Sequence, residues 1–64
     1  MAPHQERVVQ EEIELADKLA KLDAFLLSEL FASLGESEQV RLKLQRWFMA
    51  GYRDILEERI EAFQ

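Results

Sequence analysis

Apolar residues recur at helical spacing through two long stretches, Val8 to Leu27 and Val40 to Phe63. Neither stretch has the period-two alternation of a strand. In the first, positions 8, 15, 19, 22 and 26 form one stripe and 9, 13, 16 and 20 its neighbour, with Glu12 interrupting the former. In the second, the apolar residues from Val40 through Trp47, Phe48 and Tyr52 to Phe63 spread over more than half the circumference. A surface helix needs an apolar stripe only about 100° wide. Each helix therefore carries more apolar surface than the other could cover. The pattern predicts an all-α chain, an antiparallel helical hairpin with a short connecting helical turn, assembled into a helical homo-oligomer.

Local signals mark the boundaries. Pro3 suits a first helical turn, where its missing N–H costs nothing. Glu6, Glu11, Glu12 and Glu14 lie towards the start of the first helix, as its dipole favours. Ser28 is a candidate N-cap for a short turn, Glu29 to Leu34. The chain can reverse at Gly35, and two registers compete there: Ser33 with Glu36 has capping-box spacing, and so does Gly35 with Glu38. Gly51 falls inside the last helix, where glycine costs about 1 kcal/mol against alanine. Either a neighbouring backbone approaches closely there, or the glycine is simply tolerated.

Composition sharpens the need for company. A 64-residue chain forms one domain, residues 1–64, and buries only about 60% of its unfolded surface. Disulfides, a metal or oligomerisation usually supplement such a core. There is no cysteine, and His4 is the one histidine, so a structural zinc site is excluded and oligomerisation remains. Lack of cysteine fits a reducing cytosol. No apolar run approaches the roughly 18 residues of a membrane span, and the residues from Met1 to Arg7 do not read as a signal peptide. A formal charge of −5, from 13 acidic and 8 basic residues, argues against long DNA or RNA as a partner, since that binding neutralises many phosphates. A small anion, met by two or three focused cations, is still compatible with it.

No catalytic constellation stands out, so an enzyme is not expected, nor a metal or cofactor. The serines occupy turn or cap positions. Glu11–Glu12 and Glu57–Glu58 are adjacent in sequence and so point to different helix faces. The basic residues hold more interest. His4, Arg7 and Lys18 share one face of the first helix. One reading is ion pairing along the helix, Arg7 with Glu11, Glu14 with Lys18, and Asp17 with Lys21. The other is ligand binding, which geometry restricts: at 1.5 Å per residue His4 and Lys18 lie about 21 Å apart. They can meet one small ligand only if two first helices cross antiparallel, with the two-fold axis near residue 11. Arg59 stands at the edge of the second apolar stripe, near Tyr52, Ile55, Leu56 and Phe63. It reads either as a snorkelling side chain or as a guanidinium fork for phosphate. Trp47, Phe48 and Tyr52 suit a core or interface better than a base-stacking platform, and Arg46 and Arg53 beside them are expected to be exposed.

These residues also carry a family likeness. The runs Pro3 to Val9, Glu14 to Leu22 and Ala24 to Leu26 resemble a family of small phage proteins, as do Phe31 to Leu34, Tyr52 and Leu56 to Phe63. The likeness covers nearly the whole chain, through motifs that are individually weak but fairly specific in order and spacing. The family includes the sponges that defeat the cyclic-oligonucleotide-based antiphage system, CBASS. The resemblance implies a compact helical hexamer in the cytoplasm of the infected bacterial host. It would sequester cyclic dinucleotides, and in some members cyclic trinucleotides, without cleaving them. It further implies that Lys18 holds the cyclic dinucleotide between protomers and that Arg59 serves a trinucleotide pocket; Arg7, on the face of Lys18, is expected to support them. His4 stands where relatives usually have tyrosine, and Leu19–Ala20 lacks the hydroxyl that a threonine supplies in characterised sponges. The alternative expectation is a non-enzymatic phage or prophage oligomer that acts as a protein-interaction module.

Overall fold

The first helix begins where proline allows it. In a computed structural model, which describes residues 1–63, α1 runs Pro3–Leu26, α2 Glu29–Ser33 and α3 Glu36–Glu61. Helix α1 starts five residues before the apolar stripe because Pro3 opens its first turn and Gln5 Oε1 accepts from the Ala2 N–H at 2.9 Å. A polar side chain thus ties down an end that apolar periodicity does not mark. Ser28 caps α2 as its position suggested, its Oγ accepting from the Phe31 N–H at 3.1 Å and donating to the Phe25 carbonyl at 2.6 Å. Phe25 and Phe31 then meet edge to face, with ring centroids 6.1 Å apart.

Of the two registers for the start of α3, Gly35 provides the N-cap. Ser33 is not free to do so, because its hydroxyl donates to the Leu30 carbonyl at 2.6 Å. Gln39 closes the corner from inside α3. Its Nε2 donates to the carbonyls of Leu34 at 2.9 Å, Phe31 at 3.2 Å and Ala32 at 3.3 Å. The Phe31 oxygen also accepts from the Leu34 N–H at 3.0 Å, and Gln39 adds to it the last carbonyls of the short helix, which helix geometry leaves without a helical partner.

Helices α1 and α3 lie antiparallel in a rod of 47 × 14 × 13 Å. Leu56 is fully buried at the centre with Val8 and Leu15, flanked by Met49, Ile60 and Phe63. Leu19 and Phe31 are buried as well. On α3 the residues facing α1 recur every seven positions, Leu42, Met49 and Leu56, and Phe63 continues the series just past its end, which is the seam of two near-parallel helix axes. The all-helical expectation holds, with long helices packed on one another.

The broad apolar arc of α3 resolves into two faces. One meets α1. The other, carrying Val40, Leu44, Trp47, Phe48, Tyr52 and Ile55, is exposed, with Trp47 and Phe48 at 68% and 67%. On α1 the second stripe is likewise only partly covered, and Ile13 is exposed. The surplus inferred from periodicity is therefore real surface on the folded chain.

Candidate functional site

Charge decides how the hairpin is registered. Glu12, the residue that interrupts the first apolar stripe, accepts from Arg53 Nε at 3.1 Å across the helix pair. Arg53 also meets Glu57 at 3.2 Å on its own helix. Eleven residues along α1, Asp23 receives Arg46, Nε to Oδ1 at 2.7 Å and Nη2 to Oδ2 at 3.5 Å. The hydrogen bond from Arg46 to Asp23, and then the Asp23 charge, hold this guanidinium above its ordinary range. That lies well beyond physiological pH, so the pair does not act as a proton switch.

Arg46 and Arg53, expected to be exposed, are half-buried and paired instead. The reason is their seven-residue spacing in step with Met49 and Leu56, which turns both towards α1. The signal was present in the sequence: a carboxylate breaking one apolar stripe, and arginines inside the inward face of the facing helix.

The ligand candidates stand apart from this seam. His4, Arg7 and Lys18 are all exposed on α1, and Arg59 is exposed on α3. Of the ion pairs suggested along α1, Asp17 with Lys21 forms, at 2.9 Å. Arg7 and Lys18 form none among the described residues, and Gln10 rather than Lys18 reaches Glu14, at 3.2 Å. Arg41 is held by Glu38 at 2.8 Å, and Lys43 lies over the Phe31 ring at 5.9 Å. Among the described residues, then, Arg7, Lys18 and Arg59 are the three cations with neither an ion-pair nor a ring partner, although acids outnumber bases 13 to 8.

One chain does not gather these cations. The register set by Glu12–Arg53 and Asp23–Arg46 brings Arg59 to the same end of the rod as His4 and Arg7. Lys18 lies further along, level with Trp47 to Gly51. Of two concavities among the described residues, one is apolar, lined by Trp47, Phe48, Gly51, Tyr52 and Ile55. The other is lined by Glu12, Glu57, Ile60 and Glu61 and would repel phosphate. Among the described residues no cluster of His, Cys, Asp or Glu could hold a metal ion, and no helix is long and apolar enough to cross a membrane.

Fold and surface together define a small all-helical hairpin protein whose unpartnered groups, apolar and cationic alike, face outward. The family model that matches it, described as Sequestin, spans residues 2–62. The chain belongs to the Sequestin family, which bears out the likeness to the small phage sponges. No curated protein and no solved structure matches it.

Proposed function

We propose that this chain is a phage anti-defence sponge, a homo-oligomer that binds cyclic oligonucleotide signals of the CBASS system and withholds them without cleaving them. Sequestration is what the family's name speaks of. The observation that carries the proposal is the selective pairing of cations. Among the described residues Arg7, Lys18 and Arg59 stay free of carboxylates in an acidic protein, whereas Lys21, Arg41, Arg46 and Arg53 are all engaged. A ligand phosphate would find these three groups unneutralised.

His4, Arg7 and Lys18 are strung along one face of α1, too far apart to converge within one chain. The pocket for a cyclic dinucleotide is thus built between protomers, with Lys18 of one copy on phosphate and His4 of another stacked on a base. Arg59 serves a separate site, for which a cyclic trinucleotide is the candidate. The oligomer, a hexamer by family likeness, works in the cytoplasm of the infected host. Its effect is stoichiometric: each bound signal molecule is one fewer for the host effector.

Calorimetric titration with a panel of cyclic di- and trinucleotides tests this reading. A charge-assisted contact is worth about 1.5–3 kcal/mol, so Lys18→Ala should weaken dinucleotide binding roughly tenfold to a hundredfold or more. Arg59→Ala should do the same for trinucleotides and leave dinucleotide binding near wild type. Absence of saturable binding by every member of the panel would sink the sponge reading. The second reading, a protein-interaction module, is favoured by the exposed apolar face of α3, and it predicts that absence.

A further inference from the structure

Gly51 has no explanation inside its own chain. Its φ is not positive, so no backbone turn calls for glycine. A Cβ built on it would meet nothing within 4 Å. Yet it sits mid-helix, where glycine is a poorer residue than alanine. Glycine is also the residue that lets another backbone approach closely. Gly51 lies at the floor of the shallow depression between Trp47, Phe48, Tyr52 and Ile55, in the middle of the outward apolar face of α3.

The size of that face points the same way. Val40, Leu44, Trp47, Phe48, Tyr52 and Ile55 are each exposed over about half to two-thirds of their surface. With roughly 150–250 Å² available per aromatic ring, the six side chains offer on the order of 600 Å². That is the upper end of the largest patch found on monomers, about 300–600 Å². It approaches the roughly 800 Å² per partner of a standard interface.

Charge then selects the occupant and its direction. From Val40 to Arg53 the helix has no acidic residue, and it carries Arg41 and Lys43 besides Arg46 and Arg53, which are turned towards α1. From Asp54 to Glu61 it carries Asp54, Glu57, Glu58 and Glu61 against Arg59 alone. Two parallel copies of α3 would set like charge on like. Two antiparallel copies set the basic half of each against the acidic half of the other. With Gly51 at the centre, Trp47 of one copy comes level with Ile55 of the other, Arg41 with Glu61, and Lys43 with Arg59, beside Glu58.

We propose that two copies of this chain pack α3 against α3 antiparallel, crossing at Gly51. The proposal rests on the homo-oligomer reading above and specifies the face and residues of one of its interfaces. The crossing glycine brings the two backbones together so that Trp47 and Phe48 of each copy cover Ile55 and Tyr52 of the other. Helix α1, with His4, Arg7 and Lys18, stays on the outside of this pair, available to further contacts.

Sedimentation equilibrium across a range of protomer concentrations, with circular dichroism on the same samples, tests it. Gly51→Leu should keep or raise helix content yet weaken association at least tenfold, and Trp47→Glu should do likewise to association. The native chain lacks cysteine, so Gly51→Cys introduces one thiol per copy. At a helix crossing those thiols come within disulfide reach, and mild oxidation should give a covalent dimer, whereas Leu27→Cys should not. If wild type associates and Gly51→Leu and Trp47→Glu associate equally well, this face is not the interface, although the assembly reading survives. A wild type that stays monomeric overturns both.

Discussion

Leu56→Ala tests whether the seam between α1 and α3 is where the fold gets its stability. Leu56 is 0% exposed and touches Val8 and Leu15, with Met49, Ile60 and Phe63 around it. Burying a leucine and then leaving its cavity gives losses of roughly 2.7–5 kcal/mol in well-packed cores. Here the surrounding side chains are themselves partly exposed and can settle into the space, so about 2–4 kcal/mol is expected. Proteins are stable by only about 0.05–0.15 kcal/mol per residue, roughly 3–10 kcal/mol at this length. One methyl-for-isobutyl exchange would therefore remove roughly a fifth or more of the total. At roughly 4–8 °C per kcal/mol in a domain this small, the melting midpoint should fall by at least about 8 °C. Urea and thermal unfolding followed by circular dichroism read the change. Leu27→Ala is the control, since Leu27 is 90% exposed and should move stability by less than about 0.5 kcal/mol. Any association would raise apparent stability with the logarithm of concentration, so each variant is measured at two protomer concentrations. A Leu56→Ala loss below about 1 kcal/mol, or one matched by Leu27→Ala, would refute the core described above.

Two further outcomes follow from local structure. Ser28→Ala removes both the cap on the Phe31 N–H and the bond to the Phe25 carbonyl, and should cost about 1 kcal/mol in urea unfolding; no change would mean that water replaces the hydroxyl without loss. A double-mutant cycle with Glu12→Gln and Arg53→Met should give a coupling of about 0.5–1 kcal/mol, discounted for an Arg53 side chain 39% exposed. It should shrink as salt rises, and a coupling of zero at low salt would remove this pair as the register lock.

The helical hairpin was legible because its information is local. Stripes at helical spacing, a proline, a serine cap and one glycine between helices are all properties of neighbouring residues. Boundaries were less so: α1 begins at Pro3 because the Gln5 side chain satisfies the Ala2 N–H, a contact to which periodicity is blind. The interior side of α3 was misjudged in one respect. Arg46 and Arg53 look like flanking surface residues when their aromatic neighbours are taken as the core. Once the inward face is known to be Leu42, Met49, Leu56 and Phe63, both arginines fall on it. The aromatic cluster around Trp47 then falls on the opposite side. A helix with two apolar faces does not say in its own sequence which one its partner helix takes; the carboxylates of the partner, Glu12 and Asp23, decide it. The candidate site was legible as unpaired positive charge and no further, since residues spread along one rod acquire a common pocket only through another copy.

Net charge sets the terms on which copies of this chain can meet. At −5 each, they repel one another, and Coulomb repulsion between exposed charges weakens only over a Debye length of about 8 Å in physiological salt. Apolar burial must supply the attraction, and it can do so most readily where carboxylates are absent. The longest acid-free stretch on a described helix face, Val40 to Arg53, is also where the large apolar side chains stand exposed. Phosphate binding has the opposite requirement. It needs cations that the protein's own carboxylates have not already claimed; among the described residues these are Arg7 and Lys18 on α1, away from the Trp47 face, and Arg59, one turn beyond Ile55 at the edge of that face. In the proposed assembly the two demands would fall largely on different surfaces, apolar contact on the Trp47 face of α3 and phosphate on the cations of α1. A chain whose basic residues were all locked in its own ion pairs, or whose acids interrupted the apolar face, would satisfy at most one of them.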